Sequence, residues 1–161
     1  MGVVKMTLGT GAFIDINVGD RPTASRMGTY PMIALKIKEK IMYLLEGIVQ
    51  SVGSVIDWLL RIGLLKDYDE LSELEGLLEE ESSLIVIPAL AGLGTPYWNP
   101  DAKGTIFGIT RKTTKQELVL GFLEGIASRC AEVLDVLEEV SGVSIEEVIA
   151  DGNVSRANVV L

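Results

Sequence analysis

The sequence predicts an α/β fold, a mixed sheet flanked by helices, and three observations carry that prediction. Two β-prone runs, Val3 to Leu8 and Phe13 to Val18, surround Gly9-Thr10-Gly11, which is a hairpin pattern. From about Ser51 the apolar residues recur at helical spacing instead. Further on, the apolar run Leu84–Ile87 reads as a short buried strand and Thr105–Ile109 and Val148–Ala150 as further strands, with a long helical pattern between the second and third.

The elements follow in order. After the first hairpin, Gly19-Asp20-Arg21-Pro22 and Gly28-Thr29-Tyr30-Pro31 carry loop chemistry. Ile33–Ile37 and Ile41–Leu45 form a second strand pair around Lys38-Glu39-Lys40. Val52, Val55, Ile56, Leu59, Leu60 and Leu64 predict an amphipathic helix over residues 51–63. Asp67 to Glu81 holds eight acids, while Leu71, Leu74, Leu77 and Leu78 keep a helical rhythm; the segment is read as a short surface helix with a solvated acidic face. Ala91 to Gly104 is a loop of fourteen residues rich in Gly, Pro and aromatics, and loops of that length inside compact domains are usually functional. Thr114-Lys115-Gln116-Glu117 fits a capping box. Leu118, Phe122, Ile126, Cys130, Val133 and Leu137 behind it mark one face of a long helix ending near Ser141-Gly142. Asp151-Gly152-Asn153 is a turn, and a further helix starts at Ser155.

Composition narrows the chemistry. The 161 residues are 48% apolar and 23% charged, enough apolar material for a core and too little charge for disorder. A net charge of −9 argues against nucleic acid or an anionic membrane as partner, since both need basic patches. Histidine is absent and Cys130 is the only cysteine. His-based catalysis, His-ligated zinc, an internal disulfide and a Cys-only metal site are therefore excluded. Cys130 lies on the apolar stripe and is read as a small buried hydrophobe. Gly47–Leu65, the most apolar stretch, is broken by Gln50, Asp57 and Arg61, too polar for a membrane span. The N-terminus lacks the layout of a signal peptide, and a cytoplasmic protein is expected.

Three features stand apart from core-building. Gly9-Thr10-Gly11 can aim backbone amides and a hydroxyl at an anion. Asp151-Gly152 opens a strand-turn-helix junction of the kind that receives anions or nucleotides. Neither is specific alone, and no Walker loop exists in the chain. The third is the loop from Gly92 to Gly104. In it Tyr97 and Trp98 are read as pinning the loop to its own core, Arg111 and Lys112 as surface cations, and Asp15 and Asp101 as turn or edge residues. Asp151 fits either a turn-shaping or a ligand-touching role.

Pro88-Ala89-Leu90-Ala91-Gly92-Leu93-Gly94-Thr95-Pro96-Tyr97-Trp98-Asn99-Pro100-Asp101-Ala102-Lys103-Gly104, followed by Ile106-Phe107-Gly108-Ile109-Thr110-Arg111, resembles the signature of the glycerol kinases among the FGGY carbohydrate kinases. Gly9-Thr10-Gly11-Ala12-Phe13, Tyr43-Leu44-Leu45-Glu46-Gly47, Leu123-Glu124-Gly125-Ile126-Ala127 and Asp151-Gly152 agree in order and spacing, so the resemblance spans about residues 5 to 158. It implies a ribonuclease-H-like half of an actin-like ATPase fold. The whole chain, 1–161, is then expected to be most of the C-terminal, nucleotide-binding domain, lacking the N-terminal domain and the C-terminal end.

By that resemblance ATP with Mg2+ is the cofactor and glycerol or a related polyol or sugar the acceptor. Thr10, flanked by Gly9 and Gly11, meets the nucleotide phosphates, Phe13 packs against glycerol, and Gly53 contacts the nucleotide. Asp57 stands where the glycerol kinases carry Gln. Gly152 and Asn153 stand where the family reads Gly-Gly beside the nucleotide, and the later Asn of that motif aligns with Ala157. The catalytic set in this chain is none, because the family's general-base Asp, its Arg-Glu pair and its polyol-binding Tyr have no counterpart here. The polypeptide alone is thus expected to be inert, its parent a kinase, and its uncovered apolar surface to drive homo-oligomer formation. A pentulose or hexulose kinase, or a non-catalytic actin-like module, are the alternatives.

Overall fold

The computed structural model describes residues 2–74 and 84–156. Strands β1 (Val3–Leu8) and β2 (Ala12–Gly19) form the first hairpin, with Leu8 opposite Ala12 and Met6 opposite Ile14. Strands β3 (Tyr30–Ile37) and β4 (Lys40–Val49) form the second, and β4 pairs antiparallel with β2, setting Ala12 opposite Val49. Strand β7 (Glu147–Asp151) joins the far side of β1 in parallel. The five-stranded sheet is therefore mixed, in the order β3-β4-β2-β1-β7. Strands β5 (Ile85–Ile87) and β6 (Thr105–Phe107) make a separate antiparallel pair.

Alternation along the strands decides which face is covered. Val4, Met6 and Leu8 of β1, Ala12, Ile14 and Ile16 of β2, and Leu45 and Val49 of β4 are all buried on one face. Helix α1 (Gly53–Arg61) sends Val55, Ile56 and Leu59 into that core, and α3 (Lys115–Ser141) sends Phe122, Ile126, Val133 and Leu137. The Phe122 ring meets Trp58 of α1 at 5.3 Å. Cys130 is buried with them, and burial pushes its thiol up to about 11; it is a packing residue. Lys5, Thr7, Phe13, Asp15, Glu46 and Ile48 turn to the opposite face.

The long helix starts and stops as expected. Thr114 accepts from the Glu117 amide at 3.2 Å, and Glu117 returns a carboxylate to the Thr114 amide at 2.6 Å, the reciprocal capping box. Gly142 closes the helix with φ of 68°, where glycine adopts the left-handed cap at little cost. Differences lie at the edges of elements. The helix expected over 51–63 runs Gly53–Arg61. The acidic segment supplies α2 (Glu70–Glu73), and the remainder of that expected helix lies in 75–83, outside the described residues. After β7 a single 3-10 turn, Val154–Arg156, follows; the expected helix beyond it, with Ala157, also lies outside.

Candidate nucleotide site

The Gly-Thr-Gly turn is built against the start of α1. The Gly9 amide donates to the Gly11 carbonyl at 2.9 Å, closing the turn between β1 and β2. The Thr10 carbonyl accepts from the amides of Val52 at 3.0 Å and Ser54 at 3.1 Å, and the Gly9 carbonyl accepts from Gly53 at 2.9 Å. The first amides of a helix lack intrahelical partners, and Val52 brings no side-chain cap. Here the turn satisfies them, so these amides are not left for a ligand. What the turn presents outward is the exposed Thr10 side chain, whose hydroxyl has no hydrogen-bond partner among the described residues.

Three glycines make that approach possible. A Cβ on Gly53 would stand 2.5 Å from the Gly9 carbonyl oxygen, and one on Gly11 2.5 Å from that of Val49. Gly152, with φ of +100°, brings the turn after β7 alongside, and a Cβ there would meet the Leu8 carbonyl oxygen at 2.3 Å. The structure thus gathers Gly9, Thr10, Gly11, Gly53 and Gly152 around one turn.

Asp57 and Asn153 lie beside a second feature. Asn153, Val154, Ile56, Tyr68 and Leu71 line a cleft of about 310 Å³ next to the turn; Val154 links the two, its Cγ2 lying 3.3 Å from a Cβ built on Gly53. Asp57 is four residues beyond Gly53 on α1 and accepts a hydrogen bond from the Tyr68 hydroxyl at 2.8 Å. Burial first, and then the Asp57 carboxylate, push the Tyr68 phenol up to about 12. Sequence reasoning missed Tyr68; an aromatic within an acidic segment was its only signal.

Phe13 is separate from this cluster. It projects from the opposite face of the sheet, 46% exposed, across from Thr7 and Ile48. Asp15, two residues along, is not the turn or edge residue expected. It sits within β2, between Lys5 of β1 and Glu46 of β4. Burial raises the Asp15 carboxyl against the opposing pull of Lys5. Burial also raises Glu46, and the charge of Asp15 raises it further. Asp101 does occupy an exposed turn, its amide donating to Asn99 Oδ1 at 3.0 Å. Asp151 ion-pairs with Lys5 at 3.1 Å, and hydrogen bonds from Thr7 and Lys5 hold its carboxyl low. It therefore braces the β1–β7 pair. Arg111 and Lys112 are exposed, as read from the sequence.

The Gly92–Gly104 loop is pinned from three sides. Thr95, fully buried, accepts from the Ile48 amide at 3.0 Å and donates to the Gly28 carbonyl at 3.0 Å. Trp98 donates to the same Gly28 carbonyl at 2.7 Å and meets the Tyr30 ring edge-on at 5.2 Å. Arg129 of α3, only 8% exposed, donates to the Thr95 carbonyl, pairs with Glu132 and lies 5.2 Å from the centre of the Tyr97 ring. Desolvation pulls the Arg129 pKa down, countered by Tyr97 and Cys130. The loop is a structural clamp holding Gly28 and Tyr30 beside the sheet. Tyr97 and Trp98 do hold the loop, but through Arg129, Gly28 and Tyr30 and not through the core, since both remain exposed; Arg129 was missed because its partner Thr95 lies thirty-four residues away.

The model of the FGGY family of carbohydrate kinases, C-terminal domain, matches residues 4–161. The chain belongs to that family. It is 38% identical over 161 residues to a glycerol kinase of Burkholderia vietnamiensis, covering 99% of this chain and 32% of the relative. The crystal structure of Plasmodium falciparum glycerol kinase with ADP superposes with a TM-score of 0.90 at 33% identity, over 98% of this chain and 32% of that one. A xylulose kinase from Bifidobacterium adolescentis shares the fold, with a TM-score of 0.82 at 22% identity over 99% and 31% of the two chains. The chain spans about a third of the length of the relatives it matches. The ribonuclease-H-like half of an actin-like ATPase fold, expected from the sequence, is the fold of this FGGY domain. No helix among the described residues is long and apolar enough to cross a membrane.

Proposed function

We propose that this FGGY domain is the nucleotide-binding part of an ATP-dependent polyol kinase that converts ATP and glycerol to ADP and glycerol 3-phosphate. The observation that carries the reading is the exposed Thr10 hydroxyl, held at the apex of a turn whose carbonyls are locked to α1. The turn is rigid without being closed off, which suits a phosphate tail. Its likeness to a glycerol kinase structure described with ADP supports the same choice.

In this account Thr10 donates to the triphosphate, while Gly9, Gly11, Gly53 and Gly152 keep the backbone close enough to shape its bed. Asp57 and Asn153 border the base side. Phe13 offers an aromatic face to the carbon skeleton of the polyol from the sheet's other face. The described residues hold no group of three carboxylates, cysteines or histidines suited to a metal, and Asp151 is engaged by Lys5. Mg2+ accompanies the triphosphate, whose oxygens and bound waters supply ligands of the kind it prefers. Phosphoryl transfer rests on positioning and charge stabilisation around the phosphates. No residue here stands in for the family's general base, so turnover needs the partner domain, and this polypeptide alone is inert. The setting is cytoplasmic.

Two measurements test the reading. Isothermal titration of this chain with ATP and Mg2+ should show binding without hydrolysis. The full-length parent should form ADP on addition of glycerol. ADP formation with xylulose but not glycerol would move the assignment to a pentulose kinase, and no nucleotide binding by either protein would overturn it.

A further inference from the structure

We propose that Thr95 is a positioning residue for the polyol side of the site: it holds Ile48, and Ile48 is the wall beside Phe13. This rests on the polyol role of Phe13 proposed above and assigns what fixes the surroundings of that ring. Phe13 lies opposite Thr7 on β1 and opposite Ile48 on β4. The Thr7 hydroxyl is engaged by Lys5, whose Nζ donates to it at 2.6 Å. Ile48, half-buried, is therefore the apolar neighbour of the ring.

Strand β3 begins at Tyr30, opposite Glu46, and β4 runs on past it to Val49. There Thr95 takes the place of a strand partner. Its hydroxyl accepts from the Ile48 amide at 3.0 Å, and its amide donates to the Ile48 carbonyl at 3.0 Å. Gly94 permits this approach, since a Cβ there would lie 2.3 Å from the Ile48 carbonyl oxygen. Both main-chain polar groups of Ile48 thus point away from β2. Phe13 and Ile48 form a pair without direct hydrogen bonds, the kind in which facing side chains come closest. The residue nearest the ring is anchored on the loop and not on the strand that carries the ring. Thr95 is fully buried, and its hydroxyl donates to the Gly28 carbonyl, so its influence on an acceptor passes through Ile48. The Gly9-Thr10-Gly11 turn is held by Val52, Gly53 and Ser54 instead, which leaves the nucleotide side independent of Thr95.

The test is steady-state kinetics of the full-length parent, varying glycerol and ATP in turn. Thr95→Val should raise the KM for glycerol about fivefold, the size of a cross-strand pair, with kcat and the KM for ATP unchanged, the pattern of lost uniform binding. Thr95→Ser keeps the hydroxyl and should restore the wild-type value. Ile48→Ala should raise the glycerol KM by itself, and adding Thr95→Val to it should raise it no further, because both act at one place. A merely structural Thr95 would lower kcat through loss of folded enzyme and leave both KM values as they were. That result overturns the inference, as does an equal rise in both KM values or full additivity with Ile48→Ala. A wild-type glycerol KM in Ile48→Ala overturns it whether or not Thr95→Val folds. Phe13→Ala separates the two layers. If it raises the glycerol KM while the Thr95 and Ile48 variants do not, the polyol reading stands and the positioning role falls; if none of them raises it, both fall.

Discussion

The amide of Gly53 donates to the carbonyl of Gly9 at 2.9 Å, and a Cβ on Gly53 would lie 2.5 Å from that same oxygen. The first helix of the domain is thus seated on the Gly9-Thr10-Gly11 turn with no room for a side chain. Gly53→Ala forces the two apart, an overpacking change that costs about 1–3 kcal/mol. Urea unfolding should show a lower midpoint, and ATP affinity should fall with it as the turn is displaced.

Thr95 tests the clamp independently of the nucleotide. Thr95→Val leaves the Ile48 amide buried without its acceptor, whereas the Gly28 carbonyl keeps Trp98 as donor. One orphaned buried donor costs about 1–3 kcal/mol. Thermal unfolding should drop by about 2–4 °C for each kcal/mol lost, with nucleotide affinity unchanged.

The carboxylates of Asp15 and Glu46 give a pH dependence of known sign. Both are raised in the folded state, by burial first, so the native protein binds more protons than the unfolded chain across that window. Their ionisation opposes folding: stability falls as pH rises through the raised folded values and the loss is complete above them. Asp15→Asn should therefore raise the thermal midpoint at neutral pH, and the gain should shrink to nothing below the ordinary carboxylate range. A gain that persists unchanged in acid contradicts this assignment.

Strand β3 is the exposed edge of the sheet, with Ile33 and Ile37 each 63% exposed. Long apolar edges pair with other chains. Sedimentation velocity should show concentration-dependent self-association, reduced by Ile33→Lys; a strictly monomeric profile at all concentrations contradicts it.

Much of this was legible before any coordinates. The hairpins, the capped helix and the turn after β7 follow from local chemistry: period-two apolar runs, Thr114 with Glu117, and glycines at points of close approach. The gathering of Gly9, Gly53 and Gly152 was expected only through family resemblance, because no local rule says that β1, α1 and β7 end at one point. Tyr68 with Asp57, and Arg129 beneath Thr95, depend on side chains meeting across eleven and thirty-four residues. Asp15 was misplaced for the related reason that an acid in a strand pattern reads as an edge until its neighbours Lys5 and Glu46 are known.

The most direct test is Thr10→Val, titrated with ATP and Mg2+ and unfolded in parallel. Its side chain is exposed and without a hydrogen-bond partner among the described residues, so the unfolding midpoint should match the wild type. Loss of a hydrogen bond to a charged phosphate costs ~1.5–3 kcal/mol, and ATP should bind about ten- to a hundredfold more weakly. Wild-type ATP affinity in a folded Thr10→Val protein would contradict the account at its centre.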